Sequence, residues 1–286
     1  MSTPSKVIAA RWRVLGRTKS NLIEHLCELR GLTPNNLEPD FSTQLHDPLL
    51  LPDMKIAVDL VKDAVAKKWP VVIFGDYDAD GTPAAALLSM VMDRLGVRHQ
   101  VILPTRTEGY GLSLDVVENL PAETKLLITV DTGITNIDEI TLAKKKGLKV
   151  IVLDHHLPKS KGDGGLPPAD AVVDPFVPGS AYPFPYLCGC ALAYKLTEAL
   201  SVHFPAALNE SFKKWLLDLV AISTVADMMP ITGENRVLVH YGLKVLKKTR
   251  RPGLQALLTA AGIAAEKVTA GTLGFKGARK STPYAA

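Results

Sequence analysis

The chain has 286 residues, of which 47% are hydrophobic and 22% are charged. This composition is typical of a globular protein and excludes collagen, a long coiled coil and general disorder. The 33 basic and 29 acidic side chains give a formal net charge of +4, which permits an acidic partner such as nucleic acid without requiring one.

Neither a signal peptide nor a membrane span is visible in the sequence. The N-terminus has no apolar stretch of sufficient length, and no window approaches the roughly 18 apolar residues that cross a bilayer. Three cysteines are too few for a disulfide framework, which favours a reducing compartment. The sequence therefore predicts a cytoplasmic protein with no membrane partner.

The predicted elements change character along the chain. Residues 1–50 form an N-terminal segment with helical spacing around Leu22 and Leu26, followed by a loop-like stretch. Short apolar runs then alternate with helical segments, which is typical of a parallel sheet covered on both faces. The predicted strands lie at 71–74, 101–103, 126–130 and 150–153, and helices lie at 54–68 and 84–95. We predict an α/β fold with a doubly wound parallel sheet over residues 51–175.

The part after the predicted sheet is mostly helical. Its apolar spacing predicts helices at 191–200, 212–226, 237–248 and 254–261. Residues 176–270 are therefore expected to be a helical remainder of the same domain, and residues 271–286 an irregular tail.

Acidic residues and two histidines directly follow three of the predicted strands. They are Asp76, Asp78 and Asp80 after the first strand, Asp131 after the third, and Asp154, His155 and His156 after the fourth. Loops at the carboxyl ends of parallel strands converge on one crevice, so these side chains should meet. A single such Asp is more often a helix cap or a turn residue, but several unpaired carboxylates packed together repel each other. The pattern therefore predicts a cation site.

The run from Asp76 to Gly81 also matches the opening of a calcium-binding loop. That loop needs a glutamate at its twelfth position, where this chain has Leu87, and a helix rather than a strand in front of it, so we reject it. Carboxylates with an occasional imidazole suit Mg²⁺ or Mn²⁺, and two such ions are typical of phosphate-ester hydrolysis. Asp227 ends an apolar helical stretch and is either a further ligand or a simple helix terminus.

Eight segments, taken in order and with their spacing, carry a resemblance to a known family. They lie at 75–81, 108–113, 129–134, 154–158, 188–196, 224–227, 234–236 and 251–254. Over about residues 50–275 the chain resembles the DHH phosphoesterase family, and within it the exonucleases that degrade single-stranded DNA from 5′ to 3′. The resemblance implies two-metal hydrolysis that releases 5′ mononucleotides in DNA repair and recombination, alongside a single-strand-binding protein and a helicase.

The resemblance also implies roles for individual residues. The implied ligands of two Mn²⁺ or Mg²⁺ ions are Asp76, Asp78, Asp80, Asp131, His155 and Asp227. The implied catalytic residues are His156, Asp154 and Asp131, and the implied substrate contacts are Arg106, Tyr110 and Gly189. For Arg106 and Tyr110 the alternative is an ordinary surface loop.

Two departures from the family pattern bear on function. Thr132 stands where the family often has Asn, and residues 277–286 leave the pattern that precedes a DHH-associated domain and an oligonucleotide-binding fold. A frameshift near residues 276–280, or a natural or engineered terminus, is the expected origin of the second departure. A chain without those domains has two alternative functions: a phosphodiesterase for short oligonucleotides or cyclic dinucleotides, or a nucleic-acid-binding remnant without turnover.

Overall fold

The computed structural model describes residues 16, 19–30, 37–160 and 165–274. The chain divides into two compact units, residues 1–39 and 40–286. In the first unit, helix α1 (Leu22–Leu29) begins after Asn21, whose side chain accepts a hydrogen bond from the Ile23 N–H. The sequence departure at 277–286, and the frameshift inferred from it, lie outside the described residues.

The second unit is built on a five-stranded parallel sheet. The strands are β1 (Val71–Gly75), β2 (His99–Ile102), β3 (Leu126–Val130), β4 (Lys149–Leu153) and β5 (Ala171–Val173). Their order across the sheet is β2-β1-β3-β4-β5, and every neighbouring pair is parallel. The predicted doubly wound parallel sheet is confirmed. Strand β5 lies outside the predicted strands, because its apolar run is only three residues long.

Helices cover the sheet and extend the fold beyond it. They are α2 (Met54–Lys67), α3 (Gly81–Arg94), α4 (Leu114–Glu118), α5 (Ile137–Lys145), α6 (Gly189–Ser201), α7 (Glu210–Ala226), α8 (Gly233–Leu246), α9 (Pro252–Ala260) and α10 (Ala270–Thr272), with 3-10 turns at Pro48–Leu50 and Ala265–Lys267. Among the residues that the structure describes, none of these helices combines the length and apolar character that a bilayer span requires.

Alternate residues of the strands face two separate cores. Val71 and Ile73 of β1 pack with α2, α3, α6 and α7, whereas Val72 and Phe74 pack with α4 and α5. Because both faces are covered, the strands are continuously apolar rather than alternating. A third, smaller core joins the ends of α7 and α8 to α9 and the residues that follow.

The position of the site follows from the strand order. Strands β1 and β3 are neighbours, yet the chain goes from β1 to β2 on one side and from β3 to β4 on the other. In an open α/β sheet this switch point leaves a crevice at the carboxyl ends of the two strands. Asp76 follows β1 and Asp131 follows β3, so both acids lie at the mouth of this crevice.

Candidate metal centre

Three carboxylates lie in the turn from β1 to α3. Asp78 closes this turn, since its Oδ1 accepts hydrogen bonds from the N–H groups of Asp80 (2.8 Å) and Gly81 (2.9 Å). Gly81 lies against the backbone of Asp76, and a Cβ at position 81 would be 2.5 Å from the Asp76 nitrogen. Only glycine therefore lets α3 begin this close to the strand.

Asp80 is buried and is held by the first turn of α6. Its Oδ2 accepts the Gly189 N–H at 2.6 Å and its Oδ1 accepts the Cys190 N–H at 2.9 Å. Unpaired N–H groups and the helix dipole favour a negative charge at a helix N-terminus. Gly189 is itself buried and gives its N–H to Asp80. The predicted substrate contact of Gly189 therefore gains no support from this arrangement.

Asp131 follows β3 with its backbone in the left-handed region, at φ 60°. Aspartate is one of the few non-glycine residues that adopt this conformation with some frequency. Burial, together with the charges of Asp80 and Asp78, raises the pKa of Asp131 well above its ordinary value. An ionised Asp131 at neutral pH therefore calls for a cation beside it.

His155 is the centre of the cluster. Its Nε2 lies 3.1 Å from Asp131 Oδ1, 3.6 Å from Asp227 Oδ2 and 3.7 Å from Asp80 Oδ2. Burial lowers the pKa of His155, which favours the neutral imidazole that metal ligation requires.

Asp227 joins the cluster from a distant part of the chain. It is the C-cap residue of α7, so it is both a helix terminus and a member of the cluster. Burial, with the charges of Asp80 and Asp78, raises the pKa of Asp227 to about 7.

His156 lies beside His155, with the two ring centroids 4.5 Å apart, and is held by Asp154. The His156 Nδ1 lies 2.7 Å from Asp154 Oδ1, and its Nε2 lies 3.1 Å from the Tyr110 hydroxyl. The buried Asp154 also accepts the N–H groups of Ile134 and His155. Burial alone would raise the pKa of Asp154, but its hydrogen bonds and the charge of His156 keep that pKa low. The hydrogen bond to Asp154 in turn raises the pKa of His156.

The loop after β2 brings both predicted substrate residues to the cluster. Tyr110 donates a hydrogen bond to the Asp131 carbonyl oxygen at 3.3 Å, while the residue stays 56% exposed. The guanidinium of Arg106 lies over the ring of Tyr77, 5.4 Å from its centroid. Tyr77 belongs to the turn that carries the first three acids. Both residues therefore contact segments that carry the clustered acids, and their contact with substrate stays a prediction.

The cluster has the donors that a divalent cation needs. Asp131, His155 and His156 form one group of side chains with ligand atoms within 4.8 Å of one another, and Asp80, His155 and Asp227 form another. Asp76 Oδ2 and Asp227 Oδ2 are buried and have no hydrogen-bond partner among the described residues. Buried oxygens without a partner call for an explanation, and a bound cation supplies one. Carboxylates with an imidazole fit Mn²⁺ or Mg²⁺.

Two predicted ligands border these groups. Asp76 accepts the Gly111 N–H at 3.4 Å through its other oxygen, Oδ1. Asp78 lies close enough for its charge to contribute to the raised pKa of both Asp131 and Asp227. Their role as ligands stays a prediction.

Asp174 is a further strand-end acid that could not be singled out from the sequence. It follows β5, and the pairing of Leu153 with Val173 places it beside Asp154 at the same sheet edge. Asp174 is fully buried, and its Oδ2 has no hydrogen-bond partner within the described part of the chain. Burial raises the pKa of Asp174 to about 8. The only local signal is a three-residue apolar run, which is too short to identify a strand.

Comparisons with known proteins agree with this geometry. A model of the DHH family, N-terminal domain, matches residues 70–224. The single-stranded-DNA-specific exonuclease RecJ of Bacillus subtilis is 36% identical over 233 residues, which cover 81% of this chain and 28% of that protein. RecJ of Haemophilus influenzae is 35% identical over 283 residues, with 94% and 48% covered.

The fold of this chain is also similar to that of a solved structure. RecJ from Thermus thermophilus, in complex with Mn²⁺, superposes with a TM-score of 0.72 at 28% identity, covering 89% of this chain and 35% of that chain. The chain spans less than half the length of each of these relatives.

Proposed function

This chain belongs to the DHH family, and we propose that it is the metal-dependent catalytic part of a RecJ-type exonuclease that degrades single-stranded DNA from its 5′ end. The observation that carries the proposal is the gathering of Asp80, Asp131, His155 and Asp227 at the switch point of the sheet, with His156 held beside them. The named relatives are single-stranded-DNA-specific exonucleases, and the T. thermophilus RecJ structure contains Mn²⁺.

In this proposal two Mn²⁺ or Mg²⁺ ions are held by Asp76, Asp78, Asp80, Asp131, His155 and Asp227. When bound, the ions supply the Lewis acidity that activates water and offsets the charge of the phosphate. The five carboxylates together carry five negative charges, one more than the four positive charges of two divalent ions. Asp131 would be one of these ligands, since its Oδ1 lies 3.1 Å from His155 Nε2 and belongs to the same group of possible ligand atoms as His155 and His156.

His156 is assigned to the scissile phosphate. Asp154 fixes its Nδ1, which leaves Nε2 to donate a hydrogen bond to a phosphate oxygen in place of its contact with the Tyr110 hydroxyl. The raised pKa of His156 favours the protonated ring that makes this donation. Asp154 therefore acts by orienting and charging His156.

Arg106 and Tyr110 are assigned to substrate binding. A guanidinium pairs with phosphate oxygens through two parallel hydrogen bonds, and an exposed aromatic ring stacks on a base of any sequence. Binding of a single strand here thus needs no particular sequence. The sequence predicts a cytoplasmic location and the resemblance predicts work alongside a single-strand-binding protein and a helicase, and both belong to the proposal.

The test is hydrolysis of single strands labelled at the 5′ or the 3′ end, with Mn²⁺ or with EDTA. The expected product is a labelled mononucleotide from the 5′ label, while the 3′ label remains on a shrinking strand. Duplexes of the same sequence should resist. Cleavage of dinucleotides alone would favour the short-oligonucleotide alternative, and no Mn²⁺-dependent hydrolysis of any substrate would refute the proposal.

Two variants separate chemistry from binding. Asp131→Ala should abolish turnover, whereas Arg106→Ala should raise KM more than it lowers kcat, because a phosphate contact mainly serves capture of the substrate. Arg98→Ala is the matched control. Arg98 directly precedes β2 and pairs with Glu123, which precedes β3, so both lie at the amino ends of the strands, away from the acid cluster. Equal losses for Asp131→Ala and Arg106→Ala in single turnovers at saturating substrate would contradict these roles.

A further inference from the structure

We propose that Asn235 is a positioning residue that holds Asp227 and the first turn of α6 in place around the metal centre. The inference rests on the proposed function for the identity of that centre. Asn235 lies in the first turn of α8 and is fully buried. Its side-chain hydrogen bonds within the described residues go to two backbone carbonyl oxygens, so its effect on the acids passes through backbone.

A single amide group of Asn235 joins two loops. Its Nδ2 donates one hydrogen bond to the carbonyl oxygen of Tyr186 at 2.6 Å and another to that of Pro230 at 3.1 Å. The two acceptors lie 44 residues apart in the chain, one before α6 and the other between α7 and α8. Of the common side chains of this size, only a primary amide offers two donors on one nitrogen to two carbonyl oxygens.

The loop between α7 and α8 begins at Asp227. Met228 follows it with φ 58°, a left-handed conformation that is strained for a methionine, and its side chain is 88% exposed. Packing of that side chain therefore cannot hold the loop. The loop is fixed instead by the Met229 N–H on the Thr224 carbonyl oxygen and by Asn235 on the Pro230 carbonyl oxygen.

These hydrogen bonds hold the loop against the electrostatic repulsion between Asp227 and the other carboxylates of the cluster. The charges of Asp80 and Asp78 face Asp227 and contribute to its raised pKa. Without a restraint, like charges would drive the end of α7 away from the sheet. The hydrogen bond to Pro230, three residues after Asp227, restrains the loop beyond the strained Met228 together with the bond from the Met229 N–H.

The other loop, which contains Tyr186, leads into α6. Tyr186 lies three residues before Gly189, whose N–H binds Asp80, and the intervening Leu187 and Cys188 are fully buried. The side chain of Tyr186 is half-exposed, so its carbonyl oxygen is what Asn235 recognises. One amide therefore links the segment that carries Asp227 to the helix end that holds Asp80.

The test measures Mn²⁺ binding by the whole chain, from the electron paramagnetic resonance signal of free Mn²⁺ during a titration. Asn235→Ala should weaken binding about 10- to 100-fold, the loss typical when a group that orients metal ligands is removed. The matched control is Thr249→Val, which removes a buried 3.1 Å hydrogen bond to Asp218 just beyond the other end of α8, about 20 Å away. It should lower the melting temperature and leave Mn²⁺ binding unchanged.

Hydrogen–deuterium exchange of the metal-free chain provides an independent readout. In Asn235→Ala, peptides covering 186–190 and 226–232 should exchange faster than in the wild type, while peptides of β1 and β3 should not change. Thr249→Val should not accelerate exchange in either loop. If Asn235→Ala fails to fold, Asn235→Ser is measured by the same criteria.

The outcomes separate this inference from the proposed function. Wild-type exchange in both loops of the folded variant, or wild-type Mn²⁺ affinity, would overturn the role of Asn235. A wild-type chain that binds no Mn²⁺ would instead refute the metal centre of the proposed function, and the exchange measurement would still decide whether Asn235 fixes the two loops.

Discussion

Replacement of Gly189 by alanine should separate α6 from the acid cluster. A methyl group at this position would lie 2.7 Å from Asp131 Cβ, 2.9 Å from Asp131 Cα and 3.1 Å from Asp80 Oδ2. The first two distances are shorter than carbon atoms tolerate, and both involve an atom on or next to the backbone, so the helix end must move. That movement lengthens the hydrogen bond from the Gly189 N–H to Asp80, which is 2.6 Å in the native chain.

The size of the effect follows from two losses. Steric overlap in a packed interior costs about 1–3 kcal/mol. Complete loss of a hydrogen bond to a charged group costs about 1.5–3 kcal/mol, and weakening it costs part of that. The better helix propensity of alanine returns at most about 1 kcal/mol. The free energy of unfolding should therefore fall by roughly 3 kcal/mol, and Mn²⁺ should bind at least about tenfold more weakly because Asp80 is displaced.

The assay is urea unfolding followed by circular dichroism, with EDTA and separately with Mn²⁺. Gly253→Ala is the matched control, because Gly253 lies in α9 and an added Cβ would meet nothing within 4 Å. That control should leave stability unchanged or raise it by up to about 1 kcal/mol. A Gly189→Ala chain that is as stable as Gly253→Ala and binds Mn²⁺ like the wild type would contradict this prediction.

Three further outcomes are expected. Mn²⁺ at a hundred times its dissociation constant should stabilise the wild-type chain by about 2.7 kcal/mol in a melting experiment and should not stabilise Asp131→Ala to that extent; equal shifts would place the ion elsewhere. In EDTA, the raised pKa of Asp174, about 8, means that the folded chain keeps a proton that the unfolded chain loses near pH 4, so this group destabilises the fold increasingly between those values. Asp174→Asn should therefore raise the free energy of unfolding at pH 9 by up to roughly 5 kcal/mol and hardly at pH 4, and a gain of the same size at both pH values would contradict this. Asp154→Asn removes the carboxylate that raises the pKa of His156, so the alkaline limb of the kcat profile for mononucleotide release should move to lower pH; an unmoved limb would exclude His156 as the group that titrates there.

The sheet was predictable because its signals are local. Four apolar runs of adequate length mark β1 to β4, and the acids that follow three of them had to meet at one edge once the strands were parallel. The predicted fold class is confirmed on this basis. Strand β5 was not predicted because three residues are too few to show a strand periodicity, and Asp174, which follows it, was therefore not recognised as a strand-end acid.

The supports of the cluster were not predictable because they are long-range. Asp80 is held by Gly189, 109 residues later, and no periodicity in either segment indicates that contact. The same holds for Asn235, whose neighbours in sequence show only a helix start, while its partners are two carbonyl oxygens on other loops. Hydrogen bonds to backbone carbonyl oxygens leave no trace in the residue types of the partners.

The acid cluster therefore depends on the helical part of the chain as much as on the sheet. Strand ends alone would leave Asp76, Asp80 and Asp131 repelling one another in a buried crevice. The N-terminus of α6 offsets part of that charge with two N–H groups, and Asp227 at the end of α7 joins the same cluster. In an unfolded chain these groups are far apart, so a divalent ion binds the folded chain preferentially. Metal binding is for this reason linked to the docking of α6 and α7 on the sheet, and a substitution that loosens either helix should weaken metal binding without touching a ligand.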